Sequence, residues 1–213
     1  AGTDNVLWFW NGDFNDGNKD LGYRELYTRW LQYGAFLPMF RSHGTDTARE
    51  IWRFGEKGEP FYDTIETFIK LRYRLMPYIY SVAAKVTHED YTMMRSLLFD
   101  FPQDEKSKEI DDQFLCGPSL LICPVTEPMY YLPNSVALPE DTKKEWDCYL
   151  PEGTKWYDYW TDTVYEGGRT ITANAPLELM PLYVKAGAIL PMEQGMQYAT
   201  DSVDTPFEIH IYE

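Results

Sequence analysis

The sequence predicts an α/β part over residues 1–92, followed by an antiparallel β-sandwich over residues 93–192. In the first part, strand-like and helix-like segments alternate, which is typical of the closing units of an α/β barrel or of an open α/β sheet. In the second part, short β-rich segments are separated by turns containing Pro, Gly or Asn. We therefore expect a domain boundary near residue 92.

The α/β part begins with an apolar stretch, Val6–Trp10, that predicts a buried strand. Asp20 ends a loop rich in Asn, Asp and Gly and precedes apolar residues at helical spacing, so we expect it to cap a helix. Gly34 would stop this helix, and a second short strand is predicted to end near Phe40 and Arg41. The segment 42–47 that follows is polar and predicts a loop.

A long helix is predicted from Pro60 to about Val86, because apolar residues recur there at helical spacing and Pro is favoured at a first helical position. Pro77 lies inside this pattern and is expected to kink the helix. Arg72 and Arg74 fall within the same apolar stretch, where structural ion pairs are expected to satisfy them.

The β part contains several predicted strands separated by turns such as Pro151–Thr154 and Glu166–Gly168. The acidic segment Asp100–Asp112 is expected to be a solvated loop. The last residues, Phe207–Glu213, alternate like a further strand. The other predicted strands are Phe114–Val125, Glu145–Leu150, Lys155–Trp160, Val164–Ala173, Leu182–Lys185 and Ala188–Pro191.

Composition restricts the class of partner. The 213 residues carry 19 Lys and Arg against 34 Asp and Glu, a net charge of -15 that would repel nucleic-acid phosphates and anionic membranes. No apolar run reaches the length of a membrane span. We therefore expect neither a nucleic acid nor a membrane as partner. Aromatic residues make up 16 %, more than an average core needs, so either the core is unusually aromatic or some rings line a binding site.

No cofactor or metal is expected. Cys116, Cys123 and Cys148 are an odd number without C-x-x-C spacing, so neither a zinc site nor a fully paired disulfide framework is indicated, and free buried thiols are favoured. A Gly-rich phosphate loop, a G-x-S-x-G elbow and an H-E-x-x-H signature are all missing from the sequence.

Two groups of residues are candidates for binding a sugar. Asp13 follows the aromatic stretch that ends at Trp10, and a carboxylate at a barrel strand end can bind sugar hydroxyls, although it can equally cap a turn. Arg41 and His43 are separated by one residue, so in an extended chain both side chains point the same way. They offer hydrogen-bond donors to hydroxyl oxygens; the alternative is a surface Arg and a loop His.

Several longer pieces of the sequence, taken in their order along the chain, resemble sequences of glycoside hydrolase family 31, the α-glucosidase and α-xylosidase family. The run ELYTRWLQYGAFLPMFRSHG, Glu25–Gly44, resembles the stretch that closes the family's catalytic barrel, as do Arg49–Phe54 and Leu71–Tyr80. Later pieces resemble its first C-terminal β-domain, so the likeness covers roughly residues 5–192. These pieces are Arg95–Pro102, Gln113–Gly117, Pro124–Val125, Tyr149–Pro151, Trp156–Asp158, Ala175–Leu177 and Gly187–Pro191.

The resemblance implies part of a retaining α-glycoside hydrolase built on a (β/α)8 barrel, whose nucleophile and acid/base both precede residue 1. No catalytic residue is then expected within this chain. By the same resemblance Asp13, with Trp10 beside it, and His43 would bind the sugar, and Arg41 matches the Arg just before that His. Asp13–Gly17 departs from the family's D-I-G-G-F. The string WNGD ending at Asp13 also looks like the family's acid/base motif; its short distance to His43 argues against that assignment, which stays a minor alternative.

The resemblance also implies partners. The substrate would be an α-linked glucoside or xyloside, and residues 193–213 would begin a distal C-terminal β-domain. Because strand-like segments stand at both ends, we expect the chain to associate with the remainder of a parent enzyme or with another copy of itself. The alternative is a noncatalytic carbohydrate-binding or interaction module built on the same scaffold.

Overall fold

A computed structural model describes residues 14, 16–43, 47–199, 201 and 206–213. Asp13, Trp10 and the predicted strand Val6–Trp10 lie outside these residues. The chain divides into two compact units that alternate along the sequence. The first unit draws on Ala1–Ile69, Pro124–Trp146 and Asn174–Met180, and the second on Lys70–Cys123, Asp147–Ala173 and Pro181–Glu213. The domain boundary near residue 92 stays a prediction.

Helix α1 spans Leu21–Gly34 and begins as the sequence predicts. The Asp20 carboxylate accepts hydrogen bonds from the backbone N–H groups of Gly22 at 2.8 Å and Tyr23 at 3.4 Å, which confirms the expected cap. The apolar side chains of its inner face, Tyr23, Tyr27 and Leu31, are buried. The helix ends at Gly34, where the sequence predicts its stop.

The prediction of a strand between Gly34 and Arg41 is wrong. The N–H groups of Ala35, Phe36 and Leu37 bond back to the carbonyls of Leu31, Tyr33 and Gly34, so this backbone forms tight turns instead of pairing with a strand. All three side chains are 0–1 % exposed, which explains the apolar pattern that suggested a strand. Residues 39–43 then run without regular secondary structure.

The long predicted helix is two helices, α2 over Pro60–Arg74 and α3 over Met76–Glu89. Leu75, with φ -79° and ψ 1°, separates them, and Pro77 lies in the first turn of α3. Proline lacks an N–H and clashes with the carbonyl four residues earlier, so the predicted kink is confirmed. Arg74 forms the expected ion pair, with Glu208 at 2.8 Å.

Every strand in the described part of the chain follows residue 93, together with the short helix α4, Leu97–Asp100. A six-stranded sheet has the order β1-β2-β3-β10-β7-β8, and β4–β5, β6–β9 and β11–β12 form separate pairs. The strands are β1 Met94–Arg95, β2 Phe114–Cys116, β3 Leu120–Ile122, β4 Tyr131–Leu132, β5 Val136–Ala137, β6 Glu145–Leu150, β7 Lys155–Asp158, β8 Val164–Glu166, β9 Arg169–Asn174, β10 Leu182–Lys185, β11 Ile189–Met192 and β12 Glu208–Ile211.

The strand predictions for β6 and β10 are confirmed at both ends, whereas Phe114–Val125 is a hairpin of β2 and β3. Gly117 turns the chain between them with φ 62°, a conformation that favours glycine. The sequence predicted one strand where there are two, because both strands of the hairpin are fully buried and no alternation of polar residues marks the turn between them.

The acidic segment 100–112 is not wholly the solvated loop that its composition indicates. Asp104 is buried, and its carboxylate accepts hydrogen bonds from the Tyr149 hydroxyl at 2.7 Å, the Ser107 hydroxyl at 2.9 Å and the Glu152 N–H at 2.9 Å. A charge can be buried when several donors replace its water, and tertiary contacts provide them here.

The three cysteines are free and buried, as the sequence predicts. Burial raises the pKa of the Cys116 thiol to about 12, and burial also raises the pKa of the Cys123 thiol. Thiols held in this protonated form are poor nucleophiles, so Cys116 and Cys123 serve the core rather than chemistry.

Candidate functional site

The candidate site lies in the first unit, on the segment that follows α1. Arg41, Ser42 and His43 are all exposed there. The Arg41 guanidinium Nη2 lies 2.6 Å from Nδ1 of His43, so the two side chains share one side of the chain, as their spacing predicts. The structure therefore brings together the two candidate residues that it describes.

This contact fixes what the imidazole can offer. A guanidinium can only donate hydrogen bonds, so Nδ1 of His43 is the acceptor and the ring proton is on Nε2. Nε2–H is then a donor on an exposed side chain. This N–H can donate to a hydroxyl oxygen of a sugar, next to the positive charge of Arg41.

Helix α1 contacts this segment through the side chain of Tyr27. The Tyr27 hydroxyl donates to Oγ of Ser42 at 2.9 Å and lies 3.3 Å from the carbonyl of Arg49. Its ring stacks on Phe54, with 4.1 Å between the ring centroids and 16° between their planes. Tyr27 is thus a buried residue whose polar end reaches the candidate site.

The far side of the loop, from Thr47 to Phe54, is also tied to α1 and the turn before it. Nδ2 of Asn18 donates to the carbonyl of Ala48 at 2.8 Å. Nε of Arg24 in turn donates to the carbonyl of Asn18 at 2.7 Å, and its Nη1 reaches the carbonyl of Phe54 at 3.3 Å. Side chains from one helix therefore hold both flanks of the loop.

A buried polar row on α1 was missed by sequence reasoning. Glu25 accepts hydrogen bonds from the backbone N–H groups of Met129, Tyr130 and Tyr131, at 2.7 Å, 3.0 Å and 2.8 Å. The sequence does contain a signal for this row. Glu25, Arg29 and Gln32 are polar residues at positions i, i+4 and i+7, which share one face of a helix.

Arg29 extends this row to a second segment of the first unit. Its guanidinium donates to the carbonyls of Ala175 at 2.8 Å, Pro176 at 3.0 Å and Leu179 at 3.0 Å. Burial lowers the pKa of Arg29, and the nearby Glu25 carboxylate opposes that shift. The row therefore anchors the helix that precedes the site to chain more than 100 residues away.

Other kinds of site find little support in the described residues. Within those ranges no group of three or more His, Cys, Asp or Glu side chains could hold a metal ion. No described helix is long and apolar enough to cross a membrane. Asp13 and Trp10, the other predicted sugar contacts, lie outside the described part of the chain, so their roles stay predictions.

Comparison with known proteins defines the class. Residues 9–82 match the model of the glycosyl hydrolase family 31 TIM-barrel domain, and residues 90–190 match the model of the family's C-terminal domain. Both models describe parts of glycosyl hydrolases, and they follow one another along most of the chain. The chain belongs to glycoside hydrolase family 31.

Individual relatives agree with this family. An α-xylosidase of Saccharolobus solfataricus is 40 % identical over 85 % of this chain and 23 % of its own length. Alpha-glucosidase 2 of Bacillus thermoamyloliquefaciens is 36 % identical over 88 % of this chain and 22 % of its own length. The chain therefore spans less than a quarter of the length of these curated relatives.

Solved structures give the same result. The crystal structure of a family 31 α-xylosidase from Xanthomonas citri matches 96 % of this chain and 21 % of its own chain, with a TM-score of 0.83 and 39 % identity. A family 31 dextranase from Flavobacterium johnsoniae, solved with glucose, matches 91 % of this chain and 22 % of its own chain, with a TM-score of 0.78 and 35 % identity.

Proposed function

We propose that this chain is part of a retaining α-glycoside hydrolase of α-glucosidase or α-xylosidase type, to which it contributes sugar-binding residues. Residues 1–92 would supply the closing units of a (β/α)8 barrel, residues 93–192 an antiparallel β-sandwich and residues 193–213 the start of a distal β-domain. Family membership supports this division, because the two family models meet between residues 82 and 90.

The contact between Arg41 and His43 carries the proposal. It leaves the ring N–H of His43 as a donor beside the Arg41 guanidinium on one exposed segment, and a sugar presents hydroxyl oxygens that accept from such a donor. Asp13 and Trp10 would complete the site with a carboxylate for hydroxyl hydrogens and an aromatic face for the sugar ring.

The bond-breaking groups would come from chain that precedes residue 1. A retaining glycosidase uses one carboxylate as nucleophile and a second as acid and then base, about 5–5.5 Å apart. Arg41 and His43 would hold the sugar in register with that pair, and interactions that strengthen in the transition state would raise turnover. The partners would be an α-linked glucoside or xyloside and the rest of the enzyme or another copy of the chain.

The proposal is tested on the longest polypeptide that the gene encodes, with nitrophenyl α-glucoside and α-xyloside as substrates. His43→Ala is expected to raise KM or lower kcat by about 10-fold or more, because a hydrogen bond to the sugar is lost. His88→Ala, which removes an exposed imidazole from the last turn of α3, is the matched control and should leave both constants unchanged.

The chain of 213 residues is assayed in parallel and is expected to show no turnover. Turnover by this chain would mean that one of its own carboxylates is catalytic, which would contradict the proposed division of roles. Failure of both substrates with the longest polypeptide would instead favour the alternative, a noncatalytic carbohydrate-binding module.

A further inference from the structure

One buried hydroxyl joins the two flanks of the loop that carries the candidate site. The Tyr27 side chain is 6 % exposed, and its hydroxyl contacts Ser42 on one flank and the Arg49 carbonyl on the other. Ser42 stands between Arg41 and His43 in the sequence. A single atom of α1 therefore touches both flanks of the loop, and its contact with Ser42 lies next in sequence to both Arg41 and His43.

The ring that bears this hydroxyl has little freedom. Phe54, itself 0 % exposed, stacks on it, and Tyr23 packs nearby with 6.3 Å between ring centroids. Burial raises the pKa of Tyr27, opposed by the hydrogen bond to Ser42, so the phenol keeps its proton and remains a donor. The hydroxyl is thus held in place by the packing of its ring and is a hydrogen-bond donor at neutral pH.

The segment that it holds is irregular in structure. Residues 39–43 form no helix or strand, and Arg41, Ser42 and His43 are exposed, so a side-chain contact such as that of Tyr27 with Ser42 helps to fix this backbone. An unanchored loop would have to become ordered each time a ligand binds, and that ordering would weaken binding.

We infer that Tyr27 is a positioning residue for the sugar site, which it serves by holding Ser42 and Arg49 so that Arg41 and His43 are ordered before the sugar arrives. This inference rests on the proposed function. Tyr27 itself is buried and would not touch the sugar. Its effect should therefore be on binding, through KM, more than on the chemical step.

The test is Tyr27→Phe in the longest polypeptide that the gene encodes, because this change removes only the hydroxyl and keeps the stacked ring. KM for the nitrophenyl α-glycoside, and Kd for glucose or xylose by calorimetry, are expected to rise about 5-fold, the effect of losing one hydrogen bond, with a smaller change in kcat.

The matched control is Tyr130→Phe. The Tyr130 hydroxyl accepts a hydrogen bond from the Leu177 N–H at 3.1 Å, in the same unit but between two segments that are not part of the loop. Tyr130→Phe should lower the free energy of unfolding about as much as Tyr27→Phe does, and it should leave KM and Kd unchanged. Ser42→Ala provides a second test: combined with Tyr27→Phe, it should raise Kd little more than either change alone, because both remove the same contact.

The outcomes separate this inference from the proposed function. An unchanged KM and Kd in Tyr27→Phe, or an equal rise in Tyr130→Phe, would overturn the positioning role. If His43→Ala has no effect while Tyr27→Phe weakens binding, the proposed sugar-binding role of His43 is wrong, and the positioning role of Tyr27 stands. If both variants bind like the unmodified protein, both ideas fail.

Discussion

At the scale of single residues, chemistry that looks unremarkable in the sequence gains a role from its neighbours. Arg41 and His43 are an ordinary surface pair until the 2.6 Å contact between Nη2 and Nδ1 assigns the ring proton to Nε2. Tyr27 looks like one more apolar residue of a helix face until its hydroxyl is seen to reach Ser42. In both cases a single polar atom decides what the residue can do.

Gly117 gives a prediction at this scale. A Cβ added there would lie 2.6 Å from both the Tyr78 hydroxyl and Cγ2 of Val82, and that hydroxyl donates to the Cys116 carbonyl. Gly117→Ala should therefore lower the free energy of unfolding, measured in urea, by the strain of a positive φ, about 1–2 kcal/mol, plus an overpacking cost of about 1–3 kcal/mol.

Gly187→Ala is the control, because Gly187 also has a positive φ, 83°, but its added Cβ would meet nothing within 4 Å. It should show the strain alone. Equal losses for the two variants would mean that the fit between Gly117 and α3 contributes nothing to stability.

At the scale of elements, helix α1 organises the first unit. Its N-terminal cap, its buried polar row and Tyr27 each contact a different segment of chain, so one helix sets the positions of the loop before β5, the segment around Tyr130 and the candidate site. Sequence periodicity predicts the apolar face of such a helix correctly, but it does not identify the partners of its polar residues.

Asp20 allows this role to be measured. Besides capping α1, its carboxylate accepts from the N–H groups of Asn134 at 2.6 Å and Ser135 at 3.0 Å. Asp20→Ala should lower the free energy of unfolding by about 2–4 kcal/mol, because loss of a cap alone costs about 1 kcal/mol and two further N–H groups lose their partner.

Asp16→Ala is the matched control for Asp20→Ala. Asp16 precedes the short 3-10 turn Gly17–Lys19 but its side chain makes no capping hydrogen bond. Its loss should change the free energy of unfolding by less than about 0.5 kcal/mol. A loss for Asp20→Ala no larger than for a simple cap would show that the contacts to Asn134 and Ser135 are dispensable.

At the scale of the whole molecule, the chain is acidic, with a net charge of -15, so acid affects many carboxylates at once. Among them, Asp104 is buried and accepts several hydrogen bonds. Burial alone would raise its pKa, but hydrogen bonds from Glu152, Tyr149 and Ser107 outweigh that effect and hold the pKa below its ordinary value of 3.8.

The sign of the pH dependence follows from this lowered pKa. Asp104 contributes stability that is fully present above its ordinary, unfolded-state pKa of 3.8 and is lost as the pH falls through the lower folded-state pKa. Asp104→Asn should be less stable than the unmodified chain by about 2–4 kcal/mol at pH 7, because the donors lose a charged acceptor. The difference should shrink below pH 4 in urea titrations.

Asp111→Asn, a change at an exposed position of the same acidic segment, controls for the loss of one negative charge. It should leave stability nearly unchanged at pH 7 and at pH 4. A difference between Asp104→Asn and the unmodified chain that stays constant with pH would contradict a lowered pKa for Asp104.

The sequence by itself determined the features that short stretches of chain encode. Asp20 as a cap, Pro60 as a helix start, Pro77 as a helix breaker and the bounds of β6 and β10 all depend on residues within a few positions. The order of the longer pieces was enough to identify the family, and the spacing of Arg41 and His43 was enough to suggest that they face the same way.

Only the tertiary structure decided the rest, and the reason is distance along the chain. Glu25 and Arg29 find partners more than 100 residues away, which no local periodicity can specify. Part of Gly34–Arg41 resembled a strand because Ala35, Phe36 and Leu37 are buried, yet the amides of these three residues bond back to preceding carbonyls, and only three-dimensional packing tells burial from strand pairing. The anchoring of Ser42 by Tyr27 is likewise a contact that exists only in the folded chain.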